Sequence, residues 1–243
     1  MRFSVEWLKK WVQVDLDVEE LAAKLTDSGL EVDSVEPVAA PFTGVRVAEI
    51  VGCEQHPDAD KLKVCSVDNG GEEPLQVVCG APNARPGLKV PFAEVGAVLD
   101  QGFKIKKAKL RGVESFGMAC SARELGLSDD HSGLLELPED APVGADFRDF
   151  LGLDDHAIEL DLTPNRADCL GMMGLARDVS ASCASEYTPL EIPPVETAIG
   201  DEFEVVLEAP EDCPRYVGRV IRGIDPSAPT PLWMVEALRR CGV

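Results

Sequence analysis

Apolar residues recur along this chain with two periods, and the switches between them divide it into segments. Residues 4–12 (SVEWLKKWV) place Val5, Leu8, Trp11 and Val12 on one helical face, with Ser4 positioned as an N-cap. Asp17-Val18-Glu19-Glu20 reads as a capping box opening a second helix that turns Leu21, Leu25 and Ala22 inward and ends at Gly29. Residues 31–38 then alternate as a short strand. From 45 to about 120 the period is two throughout. The segments 45–55, 61–68, 75–81, 89–99 and 103–110 each predict a strand. Asp68-Asn69-Gly70-Gly71, Gly80-Ala81-Pro82-Asn83 and Arg85-Pro86-Gly87 mark turns between them. Ser121-Ala122-Arg123-Glu124 follows as a short helix start.

Five short strands in this space predict a small closed barrel, for which the five-stranded OB-fold is the common solution. Residues 128–155 are acidic and rich in Pro and Gly, and read as exposed connection. His156 to Leu162 alternates as a strand closed by Thr163-Pro164-Asn165-Arg166, with Asn165 and Arg166 expected to shape a domain junction. Cys169, Met172, Ala176, Val179 and Cys183 then step along one helical face. Neither the opening segment nor this strand and helix buries enough surface to stand alone. The economical arrangement packs them together, with the barrel inserted between.

Residues 191–202 read as a linker, 203–207 and 215–221 as strands, and Pro231 to Arg240 as an amphipathic helix. The chain then stops as though a fold were cut short. The expected class is α+β and multidomain. An OB-fold barrel (40–151) is inserted into a small discontinuous α/β domain (1–39 with 152–190), and an incomplete α+β domain begins at 203.

Charge sharpens this division. The 243 residues carry 23 Lys+Arg against 44 Asp+Glu, a formal charge of −21. Residues 45–125 hold 11 of each sign, so the whole excess lies outside the barrel segment. Such a balance argues against a protein that coats nucleic acid everywhere. No apolar stretch approaches the ~20 residues of a membrane span, and no signal sequence opens the chain. The eight cysteines form no C-x-x-C pair and the three histidines are scattered, which predicts reduced core thiols in a cytoplasmic protein and no metal site.

Within the neutral segment, Phe103 to Arg111 packs Lys104, Lys106, Lys107, Lys109 and Arg111 into nine residues without an acid. Lys107, Lys109 and Arg111 alternate with Ala108 and Leu110, which puts three cations on one face of a strand. Two readings remain open: a solvated edge guarded by lysines, or a surface for the phosphates of a nucleic acid. Lys61 and Lys63 could extend such a patch, and Ser115 could donate to a phosphate or a 2′-OH. Asn83 and Arg85 are weaker candidates. Phe92, Phe103 and Phe116 are expected in the barrel core rather than as base platforms. Gly112 and Gly117 read as tight turns, and His56 as part of a turn capped by Asp58 or Asp60 rather than as a metal ligand.

Two of these segments carry a resemblance. His56-Pro57-Asp58-Ala59-Asp60-Lys61-Leu62 and Lys109-Leu110-Arg111-Gly112-Val113-Glu114-Ser115 are similar to the paired motifs of the tRNA-binding OB domain. With FSVEWLKKWV at the start, Thr163-Pro164-Asn165-Arg166-Ala167-Asp168-Cys169-Leu170, and Cys213-Pro214-Arg215-Tyr216, the whole chain resembles the N-terminal third of the bacterial phenylalanine–tRNA ligase β-subunit family. The resemblance implies a non-catalytic region of an α2β2 heterotetramer that charges tRNA(Phe). ATP and Mg2+ would be handled by the α subunit, an editing domain (B3/B4-type) would open at 203, and no cofactor would bind this segment. It implies partners in the α subunit and tRNA, not DNA or membrane. A free-standing tRNA-binding protein and a barrel with a purely structural role are the alternatives.

Overall fold

A computed structural model describes residues 1–243, apart from the side chain of Gln101. Two units are distinguished, residues 1–189 with 231–243, and residues 190–230.

The first unit opens with strand β1 (Arg2–Ser4), a segment too short to leave a pattern in the sequence. Only Val5–Leu8 (α1) is helical, capped by the Ser4 hydroxyl, which accepts from the Trp7 N–H at 3.1 Å. The longer helix expected over 4–12 therefore stops after one turn, although Val5, Leu8 and Val12 are buried as its pattern required. Helix α2 (Val18–Asp27) starts with the full capping box between Asp17 and Glu20, and Leu21 and Leu25 are buried. Strand β2 (Glu31–Pro37) follows.

The next strands are β3 (Thr43–Gln55), β4 (Lys63–Asp68), β5 (Leu75–Cys79) and β6 (Lys89–Val98). A two-stranded hairpin comes next, β7 (Ala108–Leu110) with β8 (Val113–Ser115), and then β9 (Gly117–Ala119). The order β5-β4-β3-β6-β9 makes a five-stranded antiparallel sheet. It nearly closes on itself, because the Phe116 N–H donates to the Gln76 carbonyl of β5 at 2.9 Å. Its apolar positions, among them Ile50, Cys65, Val67, Val77, Val90 and Phe92, form one buried cluster.

The fifth barrel strand is therefore not the lysine run. Phe103–Ile105 hangs on the end of β6 through Leu99 N–H to Phe103 C=O and Ile105 N–H to Ala97 C=O, both 2.8 Å. Only Ala108–Leu110 is a strand, and it belongs to the hairpin. Ser121–Glu124 forms a turn rather than a helix, closed by the Glu124 carboxylate accepting from the Ser121 N–H and hydroxyl at 2.6 and 2.8 Å.

Residues 128–155 contribute more than an exposed connection. Leu134, Leu137, Ala141, Phe147 and Leu153 are buried, and helix α3 (Phe147–Leu151) is capped by Asp146. Asn83 and Arg85 are consumed here. Arg85 makes two 2.8 Å bonds to Glu136 and Asn83 binds the Leu134 carbonyl, so neither is free for a ligand. The Arg85 guanidinium holds the Glu136 carboxyl at about 2, below the ordinary carboxylate range.

Strand β10 (His156–Asp161) runs antiparallel between β1 and β2. Pro164–Leu170 is a kinked 3-10 segment rather than a simple turn, and α4 (Met172–Cys183) packs with α2 over this sheet around Phe3, Leu21, Leu25, Ile158, Cys169 and Val179. Arg166 bonds Asp178 at 2.6 Å, fixing the 3-10 segment to α4. Burial pushes the Cys65, Cys79 and Cys120 thiols upward, so they stay protonated, whereas Cys213 is exposed instead of joining a core. Helix α5 (Leu232–Arg240) also rests on this unit, with Arg239 donating to the Val38 carbonyl at 2.6 Å and Arg240 to Asp155 at 3.3 Å.

In residues 190–230 no strand forms, so the strands expected at 203–207 and 215–221 are absent among the described residues. Phe203, Val206 and Val217 are exposed. A strand needs a ladder partner and an apolar surface to cover it, and this segment offers neither.

Candidate nucleic-acid interface

The two signature segments, distant in sequence, meet at a single buried side chain. β3 ends at Gln55, and the chain turns through 56–62 before β4 begins. His56 is 2% exposed. Its Nδ1 accepts the Asp58 N–H at 3.0 Å, and its Nε2 lies 3.2 Å from the Leu110 carbonyl on β7. Since an amide N–H only donates, Nδ1 carries no proton, and the ring is the neutral tautomer that donates from Nε2. The turn is closed further by Gln55, whose Nε2 donates to the Ala59, Asp60 and Leu62 carbonyls at 2.9–3.1 Å. Gln55 and His56 thus do the capping that the sequence suggested for Asp58 or Asp60, both of which are exposed.

The hairpin held by His56 turns in two residues. Arg111 (φ 43°) and Gly112 (φ 90°) both lie in the left-handed region, the geometry of a type I′ turn. Glycine takes that conformation freely, and arginine takes it because the strands are fixed on either side. Arg111 therefore sits at the tip, not on a strand face with Lys107 and Lys109. At the hairpin base, Gln76 donates to the Glu114 carbonyl at 2.8 Å. Ser115 is buried, its hydroxyl accepting from the Val78 N–H and donating to the Gly117 carbonyl, each at 3.1 Å. It braces the hairpin and is not available to a phosphate.

The cations divide in the same way. Lys63 donates to the Ala84 carbonyl at 2.6 Å and closes the 82–84 loop. Lys107 pairs with Glu114 at 3.0 Å and lies over the Phe116 ring at 4.5 Å. Lys61, Lys104, Lys106, Lys109 and Arg111 are exposed and make no ion pair among the described residues. Phe92 is core, Phe116 is half-buried, and Phe103, expected in the core, is 61% exposed. The only grouping of metal-ligating side chains among the described residues is Asp168, Cys169 and Asp178, and the Arg166 guanidinium already bonds all three. The Arg166 guanidinium already supplies the positive charge that these groups face, so this cluster does not fit Mg2+.

Replacing His56 with Ala removes both of these bonds and empties the space of a buried ring. The expected cost is about 2–3 kcal/mol, with faster amide exchange across 108–115. Unaltered exchange in the hairpin would show that His56 does not hold it.

The class of protein this stretch is similar to is a tRNA-binding one: residues 45–146, which hold the barrel strands and the cationic hairpin, match the family model described as a putative tRNA binding domain. The particular likeness is to phenylalanine–tRNA ligase β subunits, to whose N-terminal part the chain is similar along its whole length. It is 58% identical to the β subunit of Pectobacterium atrosepticum and 59% identical to that of Pseudomonas putida, over all 243 residues in each case. The chain spans 31% and 30% of the length of those relatives. Among solved structures, a MetRS-related protein from Pyrococcus horikoshii shares 27% identity at a TM-score of 0.31, over 42% of this chain and 86% of that one.

Proposed function

We propose that this chain is the non-catalytic N-terminal region of a phenylalanine–tRNA ligase β subunit and holds tRNA by its phosphate backbone. In this reading an OB-type barrel (40–151) interrupts an α/β domain (1–39 with 152–190). A linker (191–202) then leads to an editing-type domain that opens at 203 and sends α5 back onto the first domain. The partners are the α subunit, in an α2β2 cytoplasmic enzyme, and tRNA(Phe). The ATP- and Mg2+-dependent chemistry lies outside this chain, and no step of it is assigned to these residues.

The observation that supports RNA binding most directly is the set of unpaired cations, Lys104, Lys106, Lys109 and Arg111, on and beside a hairpin pinned by His56. Lysines act there as point charges, which suits phosphates rather than base edges. The match to β subunits along the whole of this chain favours this reading over a free-standing tRNA-binding protein, which needs little beyond the barrel.

Binding of unmodified tRNA should weaken about 10²-fold between ~50 and ~200 mM salt, the response to four or five phosphate contacts. Anisotropy of a labelled tRNA measures it. Absence of binding at the lower salt would leave the barrel a structural role only.

A further inference from the structure

The lysine hairpin accounts for phosphates but not for the exposed aromatic that precedes it. Phe103 is 61% exposed, yet its backbone is fixed on both sides, its carbonyl accepting from the Leu99 N–H at 2.8 Å and its N–H donating to the Asp100 carbonyl at 3.3 Å. A large apolar ring held rigidly in water gains nothing for the fold. It lines a groove of about 540 Å3 with Leu99, Met118, Arg123 and His131. That volume lies within the ~300–1,000 Å3 of small-molecule sites. Two acids, Asp100 and Glu124, also line the groove; Glu124 is taken up by Ser121 at 2.6 and 2.8 Å, and Arg123 makes no ion pair among the described residues. An aromatic wall, an apolar floor and a free guanidinium, next to exposed Lys104 and Lys106, match the two halves of a nucleotide.

We infer that the Phe103 groove receives one unpaired nucleotide of the bound RNA, with its base stacked on the Phe103 ring and its phosphate against Arg123. The inference rests on the RNA-binding reading and adds a preference for single-stranded over paired segments. Stacking on an aromatic is tolerant of base identity, because every base presents a π-face, so no sequence preference accompanies it.

The test compares the 243-residue chain with Phe103→Ala and Phe103→Trp on a single-stranded oligoribonucleotide of about 10 nucleotides and on the same sequence as a duplex. Phe103→Ala should lose about tenfold or more on the single strand. It should keep the salt slope and leave duplex binding unchanged, and Phe103→Trp should retain affinity. Because Phe103 is exposed, both variants should unfold at the parent's urea midpoint. Wild-type affinity of Phe103→Ala for the single strand, with the slope intact, would overturn the inference while sparing phosphate binding. Equal loss on duplex and single strand would also overturn it, since Phe103 would then only shape the loop. Displacement of the oligonucleotide by free ATP at equal nucleotide concentration would make the groove a mononucleotide site instead. No binding of any RNA at ~50 mM salt would remove both the groove's occupant and the reading beneath it.

Discussion

Changing Lys104, Lys106 and Lys109 together to Ala should cut tRNA affinity by about 10²- to 10³-fold at ~50 mM salt and flatten the salt slope by nearly three. Each of the three is exposed, and none makes an ion pair or hydrogen bond among the described residues, so each charge is free to replace a counterion on a phosphate. The fold should not notice, since surface substitutions away from partners typically change stability by no more than ~0.5 kcal/mol. Lys107 supplies the control. It is committed to Glu114 and to the Phe116 ring, so Lys107→Ala should alter the slope by less than one unit. Anisotropy titrations at four or so salt concentrations, plotted on log axes, separate the two variants. A triple variant with the parent's slope would show that these lysines merely guard a solvated edge.

The second large effect concerns stability. Gly117 opens β9 opposite Glu94 of β6, with φ at 148°. A Cβ built there would lie 2.2 Å from the Phe92 ring and 2.8 Å from the Ala93 carbonyl. Phe92 has no exposed surface and sits in the barrel cluster, so its ring has nowhere to retreat. Gly117→Ala should therefore cost about 3 kcal/mol or more, read as a lower urea midpoint. Gly112 provides the comparison. Its φ of 90° is equally unsuited to other residues, but nothing lies within 4 Å of its added Cβ. Gly112→Ala should cost only the backbone strain, about 1–2 kcal/mol. Equal losses at the two sites would mean that the collision with Phe92 is relieved by a shift of β9.

These glycines also show where the sequence was readable. The strands β3, β4, β5 and β6 were legible because alternation and Asn-Gly or Pro-Gly turns agree there. The fifth strand was not, because Gly117–Ala119 is three residues long and begins with the residue that weakens a strand pattern. The lysine run imitated a barrel strand because its alternation continues unbroken from Lys107 to Arg111. The chain reverses at Arg111-Gly112, which lacks the Asn-Gly or Asp-Gly signature of such turns.

At the candidate interface, five of the eight expected residues keep side chains without an ion pair or hydrogen bond among the described residues. Lys63, Lys107 and Ser115 are drawn into structural bonds that only the three-dimensional pairing reveals. The part played by His56 was hidden for the same reason: its partner carbonyl lies 54 residues away. Segments 203–207 and 215–221 read as strands by composition, but composition supplies no ladder partner.

The bond from His56 to Leu110 also sets an order of events. A contact that closes so long a stretch of chain must wait for the intervening strands, because the entropy of loop closure has to be offset first by their pairing. The cationic tip is therefore among the last pieces to settle, and a nascent or misassembled barrel cannot present it in register. On the proposed reading, RNA affinity would be a readout of completed folding, since only a finished barrel offers its charges as one surface.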